Sequence, residues 1–201
     1  MGVKRLIVGQ LQTNCYLAWD EENLEAVIID PGDDADYIQR RVADFNLHPK
    51  FILATHGHFD HILAATELKL AFKIPFLIHQ ADLFLLKRAG KTARFFTGIS
   101  EEPMLPPDKF IKEGDKIRFG KECLKVIETP GHTPGGVAFY SPGILFSGDT
   151  IFAEGKGRTD FNYGSEEQLK NSIKKLLNLP KQTTVLPGHG EETTIEDLSS
   201  F

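Results

Sequence analysis

The stretch ATHGHFDHI, residues 54–62, brings three of the chain's seven histidines and an aspartate into six consecutive positions. The apolar run KFILAT (50–55), which is typical of a short buried strand, leads directly into it. Imidazole and carboxylate groups crowded at the end of a strand favour half of a metal site. A polar surface loop rich in histidine is the alternative, so the decision depends on the rest of the sequence.

Two groups of β-prone runs, each followed by helical patterns, indicate the fold class. In the first group NCYLAW (14–19) and LEAVIID (24–30) flank an acidic turn, and GGVAFYS (135–141) and GILFSGD (143–149) belong to the second. Strands in two clusters with helices after each are typical of layered folds. We therefore predict an α/β fold in which two β-sheets pack together and helices cover their outer faces.

The helices and one loop can be placed along the chain. The spacing of apolar residues predicts helices over 35–45, 62–72, 80–88 and 165–179. Asp33 or Asp34 can cap the first helix, and Ser165 can cap the last. Residues 89–108 contain two glycines and three prolines, a composition typical of an irregular segment. We expect this segment to be a mobile loop near the site.

Composition limits the class of protein. The chain has 201 residues, of which 41% are hydrophobic, and these values fit a single globular domain over residues 1–201. Cys15 and Cys123 lie far apart in strand-like runs, so we expect two buried reduced thiols and a cytoplasmic protein. The formal net charge of −5 disfavours nucleic acid as a partner. No apolar run is long enough to span a membrane.

Three later turns share the pattern of the opening stretch, because in each a strand ends at a glycine-rich or proline-rich turn with one polar residue. These residues are His132, Asp149 and His189. Each one alone is typical of a surface turn. Together with residues 54–62, they predict four turns that converge at one rim of the sheets. His48 and His79 lack such turns, and we interpret both as structural.

The motif HGHFDH (56–61) matches the H-x-H-x-D-H signature of the metallo-β-lactamase fold superfamily. His132, Asp149 and His189 match its three later ligand positions in the same order. TPGHTPGG (129–136), FSGDT (146–150) and GKGRTDF (155–161) resemble the glyoxalase II-type hydrolases, including the short single-domain members. The resemblance covers nearly the whole chain, and it implies a four-layer αββα sandwich of two mixed β-sheets.

The resemblance also implies the ligands of a two-metal centre. One metal is held by His56, His58 and His132, the other by Asp60, His61 and His189, and Asp149 bridges them beside a hydroxide. The absence of thiolate ligands suits Zn²⁺, with iron or manganese also compatible. Two metal ions make hydroxide available near neutral pH. Asp60 has a second expected role as a catalytic residue that orients this hydroxide or carries a proton.

The resemblance suggests a small anionic acyl thioester, such as S-lactoylglutathione, as the substrate of a metal-dependent hydrolase. Lys156, Arg158 and Tyr163 follow Asp149 closely and are the candidate substrate-binding residues. Arg158 corresponds to a lysine that contacts the glutathione thioester in two-domain glyoxalase II enzymes. The alternative is that Arg158 pairs with Asp160 and braces the loop. We expect the protein to act as a monomer or a homodimer.

Other members of the superfamily supply the alternative functions. GKGRTDF (155–161) also resembles the loop of persulfide dioxygenases, which use a single iron bound by two histidines and one aspartate. In those enzymes a cysteine often stands where this chain has Lys156, so the hydrolase is favoured. A lactonase or a non-catalytic metal-binding module is a weaker alternative. We expect one metallo-β-lactamase-like domain without the C-terminal helical domain that supplies most glutathione contacts in full-length glyoxalase II.

Overall fold

Two mixed β-sheets form the centre of the molecule. The structure is a computed structural model that describes residues 1–98 and 104–198. The first sheet contains, in spatial order, β1 (Gly2–Val8), β2 (Thr13–Trp19), β3 (Glu25–Ile29), β4 (His48–Leu53), β5 (Phe76–His79) and β6 (Lys109–Ile111). Strands β1 to β3 pair antiparallel, and β3 to β6 pair in parallel. The parallel strands therefore present their carboxyl ends at the same edge.

The second sheet is antiparallel apart from one strand pair. It contains β7 (Lys116–Phe119), β8 (Glu122–Glu128), β9 (Val137–Ser141), β10 (Ile144–Gly148), β13 (Thr184–Pro187) and β14 (Thr193–Thr194). Its spatial order is β14-β13-β10-β9-β8-β7, and only β10 and β13 pair in parallel. A short ribbon of β11 (Ile151–Phe152) and β12 (Gly155–Lys156) follows β10.

The helices flank the sheets on both sides. They are α1 (Ala35–Asp44), α2 (Phe59–Ile62), α3 (Ala65–Phe72), α4 (Leu83–Leu86), α5 (Ala89–Thr97), α6 (Glu166–Leu176) and α7 (Ile195–Leu198), with a 3₁₀ turn at Gln80–Asp82. None of the helices in the described ranges is long and apolar enough to cross a membrane.

Alternating side chains divide the interior into three apolar layers. In β2, Leu17 packs in one cluster with Ile38 of α1, while Tyr16 faces the second sheet. In β10, Phe146 joins the cluster between the sheets, and its ring lies 5.3 Å from that of Tyr16. Leu145, one residue earlier, packs with the helices of the second sheet. Since successive strand residues point to opposite faces, both sheets are covered on both sides, and the predicted αββα arrangement is confirmed.

Several helices between residues 59 and 98 differ from those predicted from the sequence. The predicted helix over 62–72 is divided into α2 and α3, and the one over 80–88 is a 3₁₀ turn followed by α4. The prediction of an irregular loop over 89–108 is wrong for residues 89–97, which form α5. Ala89 and Ala93 bury one face of this helix, and Gly98 ends it with a φ of 75°. Residues 99–103 lie outside the described residues.

The predicted helix caps and buried cysteines agree with the structure only in part. Ser165 caps α6, because its hydroxyl accepts a hydrogen bond from the backbone N–H of Gln168. Asp34 stands at the start of α1, but its side chain does not cap the helix and instead accepts from the N–H of Gly9. Cys15 is buried, whereas Cys123 is only half-buried, so the expectation of two buried thiols is wrong for Cys123.

Candidate metal centre

Four strand ends carry the seven predicted ligands to one edge of the two sheets. His56 and His58 lie in the loop after β4, and Asp60 and His61 lie in α2. The remaining three, His132, Asp149 and His189, follow β8, β10 and β13. The structure brings all seven together, and we call them the donor cluster. Their assignment as metal ligands stays a prediction.

Close backbone approach is needed where these turns meet. A Cβ atom at position 188 would lie 2.2 Å from Oδ1 of Asp149 and 2.7 Å from Cε1 of His61. Such distances are far below van der Waals contact, so only glycine fits between these two groups. Gly188 therefore allows the turn after β13 to bring the neighbouring His189 into the cluster.

Three histidines form the first triad. Nδ1 of His58 lies 3.0 Å from Nε2 of His56 and 2.9 Å from Nε2 of His132. The three nitrogen atoms all lie within 4.8 Å of one another. His56 and His132 are buried. Three converging imidazole nitrogens are a common ligand set for a divalent transition metal.

Asp60, His61 and His189 form the second triad. Nε2 of His189 lies 3.2 Å from Nε2 of His61 and 3.3 Å from Oδ2 of Asp60. The distance between Nε2 of His61 and Oδ2 of Asp60 is 3.7 Å. These three donor atoms also lie within 4.8 Å of one another. A carboxylate with two imidazoles suits zinc or iron.

Asp149 lies between the two triads. Its Oδ1 is 3.5 Å from Nε2 of His61, and its Oδ2 is 3.6 Å from Nε2 of His132 and 3.8 Å from Nε2 of His189. The buried Oδ1 has no hydrogen-bond partner among the described residues. A buried carboxylate oxygen without a partner is costly, and cations held by the triads would remove that cost. The donor set therefore fits divalent metal ions on both sides of Asp149.

Hydrogen bonds on the outer nitrogens turn the rings toward the centre. Nδ1–H of His61 donates to Oδ2 of Asp30 at 3.0 Å, and Nδ1–H of His132 donates to the carbonyl of Arg158 at 2.7 Å. Because a carboxylate or a carbonyl only accepts, these bonds keep a proton on Nδ1 and direct Nε2 into the cluster, where the neutral ring offers its lone pair. Nε2 of His58, in contrast, faces the hydroxyl of Tyr163 at 2.9 Å.

Asp30 is a positioning residue that the sequence analysis missed. Its carboxylate accepts from the backbone N–H of Thr55 at 2.7 Å and from the Thr55 hydroxyl at 2.6 Å, in addition to His61. The Thr55 oxygen in turn accepts from Nδ1–H of His56 at 3.1 Å. One buried carboxylate thus orients a histidine of each triad. Its sequence signal was an aspartate at the end of LEAVIID (24–30), which we interpreted only as the end of a strand.

Asp82 joins the two loops that carry the first triad. It is fully buried and accepts hydrogen bonds from the N–H of Gly57 at 2.8 Å, the N–H of Gly135 at 2.6 Å and the hydroxyl of Thr133 at 2.8 Å. Burial raises the pKa of this carboxyl, although these donors act against the rise. Asp82 has no local sequence signal, because its partners come from two distant turns.

The protonation of His56 and His58 differs from that of His61. Burial lowers the pKa of His56 well below its ordinary value and lowers that of His58 to about 3, so both rings are neutral. Burial also lowers the pKa of His61, but Asp149, Asp60 and Asp30 outweigh it and raise the value to about 10. A bound cation would replace the proton of His61, because only the neutral ring is a ligand.

A cavity of about 500 Å³ opens beside the donor cluster. Lys156, Arg158 and Tyr163 all line it, but both cations are engaged with acids. Lys156 pairs with Glu166. The Arg158 guanidinium donates to both carboxylate oxygens of Asp160, each at 2.7 Å, and this bond lowers the pKa of Asp160 to about 2. The Arg158–Asp160 pair of the alternative is therefore present, and the role of Arg158 stays a prediction.

The two histidines interpreted as structural lie outside the donor cluster. Nε2–H of His79 donates to Glu128 at 3.1 Å, and its Nδ1 accepts from the N–H of Ala81 at 3.2 Å. His48 is exposed at the start of β4. Neither residue contributes to the groups of potential metal donors found among the described residues.

Comparison with known proteins shows the family of this chain. A family model described as the metallo-beta-lactamase superfamily matches residues 8–189. The hydroxyacylglutathione hydrolase GloC of Haemophilus influenzae is 37% identical over 97% of this chain and 93% of its own length. The probable metallo-hydrolase YqgX of Bacillus subtilis is 36% identical over 96% of this chain and 92% of its own length.

Solved structures agree with this placement. The B3 metallo-beta-lactamase BLEG-1 has a TM-score of 0.92 and 36% identity, with 100% of this chain and 97% of that chain covered. TTHA1623 in a di-iron-bound form has a TM-score of 0.90 and 37% identity, with coverage of 98% and 96%. ETHE1 from Myxococcus xanthus has a TM-score of 0.79 and 29% identity, with coverage of 98% and 81%.

Proposed function

We propose that this chain, which belongs to the metallo-beta-lactamase superfamily, is a metal-dependent hydrolase of small acyl thioesters such as S-lactoylglutathione. The observation that carries the proposal is the pair of donor triads on either side of Asp149, whose buried Oδ1 has no hydrogen-bond partner in the described chain. Similarity to the hydroxyacylglutathione hydrolase GloC over nearly the full length supports the thioester class.

The donor cluster has a division of roles in this proposal. One ion would be held by His56, His58 and His132, a second by Asp60, His61 and His189, and Asp149 would contact both. When bound, two divalent ions supply Lewis acidity and lower the pKa of water so that hydroxide is available near neutral pH. Zn²⁺ suits the imidazole and carboxylate donors, and iron suits them as well.

The side chains around the cavity suit a thioester. The described lining contains no serine or cysteine, and its only side-chain hydroxyls are those of Thr92 and Tyr163. A thiol has a pKa of about 8.5, so a thiolate leaves without a strong general acid. Asp60 is suited to orient the attacking water or accept its proton, because its carboxylate lines the cavity and is steadied by the Thr13 hydroxyl at 3.4 Å.

The substrate-binding roles of Lys156, Arg158 and Tyr163 are also proposals. The Tyr163 hydroxyl contacts His58, so Tyr163 lies beside the donor cluster at which the thioester would react. Arg158 is exposed, and its partner Asp160 is exposed as well. A substrate carboxylate can therefore compete with Asp160 for the guanidinium, since an exposed ion pair is worth little.

The test is hydrolysis of S-D-lactoylglutathione by the purified protein before and after metal removal by a chelator. We expect activity that disappears with the metal and returns when Zn²⁺ or iron is added back. The matched substrate is glutathione persulfide under oxygen, with oxygen consumption as the measurement. Metal-restored oxygen consumption without thioester hydrolysis would reject the hydrolase.

A persulfide dioxygenase with a single iron is the second candidate. His56, His61 and Asp149 place two imidazole nitrogens and one carboxylate oxygen within 4.8 Å of one another, and two histidines with one carboxylate are the ligand set of many iron oxygenases. The similarity to ETHE1 also supports this candidate. The second triad favours the hydrolase, because a single ion leaves donors of that triad without a cation.

A further inference from the structure

The cavity beside the donor cluster has two chemically different ends. Arg158 lies over the Phe161 ring, 4.7 Å from its centroid, and Phe161 stacks on Tyr163. The Phe161 ring is 5.2 Å from that of His58 in the first triad, and Lys156 also lines the cavity. Apolar side chains form another part of the lining, namely Leu11, Phe59, Phe96 and Phe152, which we call the aromatic groove. The Phe152 ring lies 6.4 Å from His189, so this groove adjoins the second triad.

The aromatic groove presents apolar surface to solvent. Phe96 of α5 is 58% exposed, and Leu11 in the turn between β1 and β2 is 45% exposed. The Phe96 ring stacks on the buried Phe59 ring, with centroids 5.8 Å apart and planes 9° apart. Thr92, one helical turn earlier, lines the same cavity. Exposed apolar groups that continue into a catalytic cavity are typical of a ligand contact surface.

Charge separates the two ends further. Arg158 lies at the end with Phe161 and pairs with Asp160. Lys156 pairs with Glu166, which also accepts from the Thr159 hydroxyl of the same loop. The four side chains of the aromatic groove are all apolar. A thiol that carries carboxylates, such as glutathione, is therefore matched to the basic end. The group on the other side of the scissile carbonyl is then directed into the aromatic groove.

We propose that the aromatic groove binds the acyl substituent, and that the preferred substrates are thioesters with an aromatic or longer aliphatic acyl group rather than the small polar lactoyl group. The part of this inference that concerns preferred substrates rests on the proposed thioester hydrolase function. The binding preference itself concerns only Leu11, Phe59, Phe96 and Phe152. An apolar chain displaces water from these surfaces, whereas these four side chains offer the lactoyl hydroxyl no hydrogen-bond partner.

The catalytic test compares kcat/KM for S-D-lactoylglutathione and S-phenylacetylglutathione. We expect the phenylacetyl substrate to be favoured by about tenfold or more, because a few apolar groups in a pocket give discrimination of this size. Phe96→Ser should bring the ratio of the two kcat/KM values close to one. Phe110→Ser is the matched control, since Phe110 is 47% exposed on β6 and does not line the cavity. It should leave the ratio unchanged.

A binding test separates this inference from the hydrolase proposal. S-hexylglutathione and S-methylglutathione are thioethers that cannot be hydrolysed, and calorimetry gives the Kd of each. We expect S-hexylglutathione to bind about tenfold more tightly or better, with the difference lost in Phe96→Ser and in Leu11→Ser. If S-hexylglutathione binds more tightly but no thioester is hydrolysed, the hydrolase proposal is rejected, while the aromatic groove is supported as a binding site for apolar groups. Equal binding of both thioethers, or a preference that survives both substitutions, would overturn the inference even if thioesters are hydrolysed.

Discussion

The donor cluster and the basic end of the cavity differ in how the fold holds their polar groups. His61 is fully buried, and its outer nitrogen is fixed by the equally buried Asp30. Arg158 is 62% exposed and is held by Asp160, which is exposed to a similar degree. Water competes for the second pair but not for the first. The fold therefore fixes the donor cluster, while the basic end of the cavity keeps freedom to exchange partners.

The largest effect is expected inside the donor cluster. His61→Ala removes a donor of the second triad, and we expect kcat/KM for S-D-lactoylglutathione to fall by about 10³-fold, because metal-assisted charge stabilisation is worth several kcal/mol. Circular dichroism should show a retained fold. His48→Ala is the control, since His48 is exposed at the start of β4, and the cluster follows the other end of that strand. Full activity of His61→Ala would remove the second triad from the mechanism.

Asp82 tests whether buried acceptors hold the loops of the first triad. Asp82→Ala leaves three donors without their acceptor, and each loss costs about 1–3 kcal/mol, so we expect the free energy of unfolding to fall by several kcal/mol. Chemical denaturation measures this change. Asp36→Ala, at an exposed position of α1, should change the free energy of unfolding by less than about 1 kcal/mol. A similarly small effect for Asp82→Ala would contradict the proposed positioning role.

Tyr163 lies at the boundary between the two regions. Tyr163→Phe removes the hydroxyl that faces Nε2 of His58, and loss of such an outer hydrogen bond typically weakens metal affinity by about 10–100-fold. Competition with a chromophoric chelator measures the affinity. Tyr140→Phe on β9 is the control and should leave the affinity unchanged. An unchanged affinity in Tyr163→Phe would limit Tyr163 to lining the cavity.

The smallest effect is expected at the exposed pair. Arg158→Ala should raise KM for an anionic thioester by no more than about tenfold, because water and salt screen an exposed charge-assisted contact. KM for a neutral thioester should not change. Asp160→Ala provides the sharper comparison, since it frees the guanidinium and should lower KM for the anionic substrate. Equal increases of KM in both variants would assign the pair to bracing the loop.

The sequence predicted the layered core well because its signals are local. Alternating apolar residues in β2 and β10 follow from strand geometry, and the three apolar layers are their direct consequence. The HGHFDH motif (56–61) and the three later turns also came together at one edge. These features need only a strand end and a turn, both of which short stretches of sequence encode.

Residues whose partners are distant in the chain could not be predicted in this way. Asp30 and Asp82 each accept hydrogen bonds from other turns, and nothing in their own neighbourhood distinguishes them from surface carboxylates. Helix α5 was not predicted, because its stability comes from the burial of Ala89 and Ala93 and not from a strong local pattern of apolar residues. The aromatic groove was missed with it, since Phe96 belongs to that helix.

Metal stoichiometry is the measurement that tests the central claim most directly. Protein saturated with Zn²⁺ and dialysed should contain about two ions per chain by mass spectrometry, because the two triads offer separate donor sets on either side of Asp149. A double variant, Asp60→Ala with His189→Ala, should retain about one ion per chain. A single ion in the unaltered protein, with no loss in the double variant, would contradict a two-metal centre.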